Sequence, residues 1–331
     1  MRTFILVLSI GFLSVATPSA AFAQECDCPH LSGECPDCSG RLSDMLEGSL
    51  AGDGSFDPLE NLMLFLGLEG SKQPQEFGAN AHFGGRFSAN IGLPLSEELG
   101  LGIQIGTAIN YTDNAVEVFE RVLEVRGRTQ SYTTIGLFQR HESGLVWALA
   151  WDHLYQTYFD QTHLNQLRGR IGFQITEKDE IGLRGSASHD SDRAVFNVFG
   201  AVPFPVMLEP LSQGSVYWKH RWESEVETMF WVGIAESRGQ RNVAFEAAFA
   251  LPPQEPSGRD LLFGAQIHVP LNDHWALFGQ GNFVTPAYTG TVDSYLGFAF
   301  YPGGGARRAT QKQFAPVMPV ANSTNFTTDL R

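Results

Sequence analysis

The chain has 331 residues, of which 18% are charged, 35 are glycine and 25 are phenylalanine, and its formal net charge is −14. The acidic balance argues against a nucleic-acid partner, and no segment beyond the N-terminal one reaches the roughly 18 consecutive apolar residues of a transmembrane helix. The composition suits one large all-β domain with bands of aromatic side chains, so any membrane contact is expected through strands.

Residues 1–23 carry one cation, Arg2, an apolar run from Phe4 to Val15 and a small-residue end at Ala21-Phe22-Ala23. This is the pattern of a cleaved secretory signal, so the mature protein is expected to start near Gln24. Residues 24–60 hold Cys26, Cys28, Cys35 and Cys38, then a Gly-, Ser- and Asp-rich stretch, and read as a periplasmic tether. Four thiolates suffice for one tetrahedral metal. The first pair, however, is separated by a single residue, and export favours disulfides. Cys35-Pro-Asp-Cys38 has redox-pair spacing without a thioredoxin-like βαβ unit around it. All four are disulfide candidates, and neither a metal nor another cofactor is expected.

The barrel-forming region is expected over residues 61–303. From Phe77 to Ile91 apolar or small Phe77, Ala79, Ala81, Phe83, Gly85, Phe87, Ala89 and Ile91 alternate with Asn80, His82, Gly84, Arg86, Ser88 and Asn90. At ~3.3 Å per residue such a strand is about 50 Å long, beyond the usual strand of a soluble domain. The pattern recurs from Leu99 to Tyr111. Short polar turns at Pro94–Glu98, His141–Gly144, Thr176–Glu180, Glu223–Glu225 and Asn272–His274 each precede a return strand, predicting five hairpins.

The opposite connections, 112–128, 159–164, 189–214 and 236–260, are mostly longer, and the alternating segment Asn242–Leu251 is assigned to the last of them. A first strand near 61–69 and a last at 291–301 complete an antiparallel up-and-down transmembrane β-barrel of about 12 strands, range 10 to 14. An even count puts both ends on the periplasmic side. The aromatic end of Val292–Tyr301 resembles the closing strand that barrel-assembly machinery recognises, but a polar C-terminal tail, residues 304–331, follows it.

The runs Leu64-Phe-Leu-Gly-Leu-Glu-Gly-Ser-Lys-Gln-Pro, Phe83-Gly-Gly-Arg86, Leu93-Pro-Leu95, Gly136-Leu-Phe-Gln-Arg140, Val269-Pro-Leu-Asn-Asp-His274 and Gly297-Phe-Ala-Phe-Tyr-Pro-Gly303 resemble an uncharacterised bacterial family of envelope proteins carrying one domain of unknown function. The resemblance spans roughly residues 60 to 303. It implies an outer-membrane β-barrel and no known activity.

If the apolar registers face lipid, their partners face the lumen. Arg86, Arg140, Arg168, Arg170, Arg184, Lys219 and Arg221 then line the interior with the acids Asp152 and Glu227. An open lumen with that wall would pass small anions, because guanidinium binds carboxylate or phosphate through paired hydrogen bonds. A closed lumen would pair the same cations with acids, and small barrels are often filled by side chains, which favours closure.

Trp147, Trp151, Tyr155, Phe159, Trp218, Trp222, Phe230, Trp231 and Trp275 read as interfacial girdles. The histidines His82, His153, His163, His189, His220 and His274 are scattered, with no nucleophile elbow or metalloprotease helix, so no catalytic residue is assigned. The leading expectation is a non-enzymatic outer-membrane channel or structural envelope protein whose partners are outer-membrane lipid and the assembly machinery. The alternatives are a surface interaction protein acting through its long loops, and a lipid-modifying barrel enzyme.

Overall fold

The computed structural model describes residues 57–76, 80–116, 120–121, 127–198, 202–236, 260–285 and 291–330. The signal segment, the cysteines and the Asn242–Leu251 segment lie outside them. The unit Asp57–Arg331 contains β1 (Leu62–Lys72), β2 (His82–Ser96), β3 (Leu101–Asn114), β4 (Gly127–Arg140), β5 (Leu145–Thr157), β6 (Gln161–Gln174) and β7 (Asp179–Ser188). It continues with β8 (Asp192–Val198), β9 (Val202–Pro210), β10 (Gln213–Arg221), β11 (Glu227–Ala235), β12 (Asp260–Pro270), β13 (Trp275–Thr285), β14 (Thr291–Phe300) and β15 (Thr328–Leu330).

Twelve of these strands close an antiparallel barrel in the order β1-β14-β13-β12-β11-β10-β7-β6-β5-β4-β3-β2. The ring closes between the first and last wall strands, with Leu64 opposite Phe300 and Lys72 opposite Val292. Period two decides which way each side chain faces. Phe83, Phe87, Ile105, Ile109, Ile171, Leu183, Val232, Phe263, Leu296 and Phe298 are exposed on the outside, while His82, Arg86, Asn90, Gln104, Asn110 and Arg168 are buried on the inside.

All five short turns join the expected hairpins. Gly144 has φ +87°, a left-handed conformation that costs glycine little, whereas Glu225 adopts φ 63° with a side chain. The first turn starts later than expected: β2 runs through Pro94 with a bulge between Pro94 and Ser96, an irregularity that tolerates proline's missing N–H. At the long-loop end, β5 and β6 are joined by only Tyr158–Asp160, and the connection after β7 contains the β8–β9 hairpin.

The interior is occupied by the chain's own C-terminal segment. After β14 the chain turns at the short-turn end through a 3-10 turn (Ala306–Arg308) against Asp273, whose carbonyl accepts from the Ala306 N–H at 2.7 Å. It then runs through the lumen to the long-loop end, where β15 pairs with β9, Thr328 opposite Pro210 and Leu330 opposite Leu208. Phe326, Val320 and Ala321 pack there with Tyr132, Leu154 and Leu164 of the wall and with Ala194, Val206 and Leu208 of the hairpin. Most of the segment expected as a polar C-terminal tail thus lies in the lumen, irregular in backbone until β15.

Candidate functional site

A chain segment inside a closed barrel meets a particular difficulty. The wall's backbone groups already bond to neighbouring strands, so the luminal segment's own N–H and C=O groups need side-chain partners. Arginine answers this for carbonyls, offering five N–H donors and no acceptor.

The wall arginines serve alternate carbonyls in succession. Arg140 Nη1 donates to Gln313 O at 3.2 Å and to Ala315 O at 2.5 Å. Arg170 Nη1 reaches Val317 O at 3.2 Å, Arg168 Nη2 reaches Pro319 O at 2.9 Å, and Arg86 Nη2 reaches Ala321 O at 3.1 Å. The intervening Met318 is held by amides: its carbonyl accepts from Asn90 at 3.0 Å and Gln104 at 2.6 Å, and its N–H donates to Gln104 Oε1 at 3.2 Å. Pro316 and Pro319 have no N–H to satisfy. Further out, Gln73 donates to the carbonyls of Ser323 and Phe326, and Gln166 to that of Asn325.

The same cations are paired with acids. Arg168 Nε lies 2.9 Å from Asp152, which also accepts from Thr134 at 2.7 Å and Gln166 at 3.0 Å. Arg170 lies 2.7 Å from Glu180, and Lys219 lies between Glu180 at 3.6 Å and Glu227 at 3.7 Å. Arg86 pairs with Glu69 at 3.6 Å and through Asn110. Glu227 further accepts from Thr310 of the luminal segment, and Glu69 from Ser323. Arg221, at the short-turn rim, donates to Arg307 O at 3.5 Å. Arg184 lies over the Trp231 ring, 4.2 Å from its centroid.

Sequence reasoning missed Glu69, Arg128, Glu180 and His268, all buried inside. Arg128 and Glu180 stand near strand ends, where apolar alternation is weakest. Trp231 needs a correction: it is buried and donates to Asn282 at 3.0 Å, so it is no part of an outer girdle. Adjacent strand residues face opposite sides, and Phe230 takes the outward one. Trp218, Trp222 and Trp275 are exposed near the short turns, with His220 and Trp218 both bonded to Asp179. A cavity of about 360 Å³ remains at the short-turn end, bordered by Arg140, Arg170, Glu180, Lys219, Glu227 and Lys312.

A model described as "Family of unknown function (DUF6666)" matches residues 61–328. The chain belongs to this family. The match starts beside β1 and ends in β15, so the family's domain comprises the luminal segment as well as the wall. No curated protein matches the chain.

Among solved structures, the KdgM porin in complex with disordered oligogalacturonate is similar at 6% identity and a TM-score of 0.39, covering 72% of this chain and 98% of that one. The translocator domain of autotransporter NalP from Neisseria meningitidis is 8% identical at a TM-score of 0.40, covering 80% of this chain and 97% of that one. The Ralstonia pickettii toluene transporter TbuX is 10% identical at 0.40, with coverages of 73% and 90%.

Proposed function

We propose that this chain is an outer-membrane β-barrel closed at rest by its own C-terminal segment, and that it serves as a structural envelope protein in that state. The observation that carries this reading is the pairing of an apolar outer face with a filled interior. Leu66 is 66% exposed, Leu183 57% and Phe298 52%, and similar side chains recur on every wall strand. Soluble monomers rarely expose apolar patches larger than a few hundred Å², and a lipid belt is the environment that would cover such a face.

Passage of small anions belongs to a state from which residues 313–330 have left the lumen. In the closed state the arginines that would attract anions are engaged with Asp152, Glu69, Glu180 and the segment's carbonyls. The test is to wash isolated outer membranes with carbonate and run them on a detergent gel with and without boiling. Retention in the pellet with a faster unboiled band supports the reading; release by carbonate with no mobility shift overturns it.

A further inference from the structure

The β6–β7 hairpin carries a charge problem that the luminal segment does not resolve. Arg170 stands directly opposite Arg184, and Arg168 opposite Ser186, so three guanidinium groups share one four-residue patch of the inner wall. Like charges placed directly across strands destabilise the pair unless something compensates them. Asp152 compensates Arg168, and Glu180 compensates Arg170 while also serving Lys219. Among the described residues Arg184 has no carboxylate partner, only the face of Trp231.

A small cavity of about 30 Å³ adjoins this patch, bordered by Arg168, Arg170, Arg184, Ser186, Trp231 and Asn325. Two further groups on its border are unsatisfied. The Ser186 hydroxyl is buried without a hydrogen-bond partner. Asn325, only 1% exposed, uses its side-chain oxygen to accept from the Asn322 N–H at 3.0 Å, which leaves its Nδ2 donor buried and unpartnered. A guanidinium, a hydroxyl and an amide N–H therefore border one small cavity. Buried donors left without an acceptor destabilise the fold, more so where charge is involved.

We propose that this cavity is a binding site for one small monovalent inorganic anion of chloride size, with Arg184 as its charged ligand and Ser186 and Asn325 as neutral donors. Because Asn325 belongs to the C-terminal segment and Arg184 to the wall, the anion ties one to the other. Gln213 also borders the cavity and presents an unpartnered acceptor oxygen, which a water molecule would suit better, so the experiment separates the two occupants. The site is independent of the membrane reading.

The full chain, folded in detergent and freed of halide, is titrated with sodium chloride against sodium gluconate at constant ionic strength, following the thermal unfolding midpoint. Chloride is expected to raise the midpoint saturably and gluconate to leave it unchanged. Crystals soaked in bromide are expected to show anomalous density between Arg184 and Asn325. Arg184→Met, which keeps the apolar stem over Trp231, should abolish the chloride response while the barrel stays heat-modifiable. Ser186→Ala should raise the half-saturating chloride concentration about tenfold, the loss of one charge-assisted hydrogen bond, and decides the matter if Arg184→Met does not fold. Equal responses to chloride and gluconate, or chloride responses in the variants equal to the parent's, would mean that water fills the cavity and would overturn the site alone.

Discussion

Arg168 is bonded to Pro319, its Nη2 donating to the proline carbonyl at 2.9 Å while the same nitrogen donates to Asp152 at 2.9 Å. One guanidinium thus neutralises a buried acid of the wall and holds the segment that fills the lumen. Arg168→Met removes both contacts and leaves Asp152 buried without its cation, a loss of about 3–5 kcal/mol. Adding Asp152→Asn should restore a large part of it. Urea unfolding in detergent measures both; a double variant as unstable as the single one would count against the pairing.

The successive arginine–carbonyl bonds set how often the segment leaves. With the four cysteines replaced by serine, which should leave barrel assembly intact, a single cysteine at Ala321 reports on its burial. Arg86→Met, which removes the donor to Ala321 O, is expected to speed maleimide labelling about tenfold in the folded barrel, the worth of one such bond. Labelling as slow as in the parent would show that this bond does not hold the segment.

Two inward glycines make room for the segment. A Cβ at Gly92 would overlap the Phe314 carbonyl oxygen, and one at Gly106 would lie 2.5 Å from Val320 Cγ2. Gly92→Val and Gly106→Val should expel or loosen the segment without breaking the wall. Trypsin cleavage after Arg307, Arg308 and Lys312 is then expected to accelerate while the heat-modifiable mobility persists. Unchanged cleavage in both variants would contradict the threading.

The outer face gives a separate prediction. Leu296, half-way along β14 and 52% exposed, lies on the apolar belt. Leu296→Arg should cost about 2–4 kcal/mol in lipid, the penalty of a cation near the bilayer midplane. Reversible unfolding from vesicles measures it, and a neutral outcome would remove Leu296 from the lipid face.

The wall was legible in the sequence because alternation is itself the instruction: a strand with Phe83, Gly85 and Phe87 outward has His82, Gly84 and Arg86 inward. Five polar turns then fixed the hairpins. The luminal segment was not legible, because it pairs with side chains through its backbone, and carbonyls are common to every residue. Phe314-Ala-Pro-Val-Met-Pro-Val-Ala321 shows no alternation and reads as part of the C-terminal tail. Its traces lie in the wall, in Gly92 and Gly106 where a luminal side chain is expected, and in more arginines than the two assigned acids could partner. Trp231 was misread because its neighbour Phe230 carries the same aromatic signal on the other face.

The most direct measurement of closure compares single-channel conductance of the full chain with that of a variant ending at Gly305, both inserted in planar bilayers. The full chain should be silent or open only in brief, rare events, and the truncated barrel should conduct steadily and favour anions over cations. Steady conductance of equal size from both proteins would contradict the claim that residues 306–330 close the barrel.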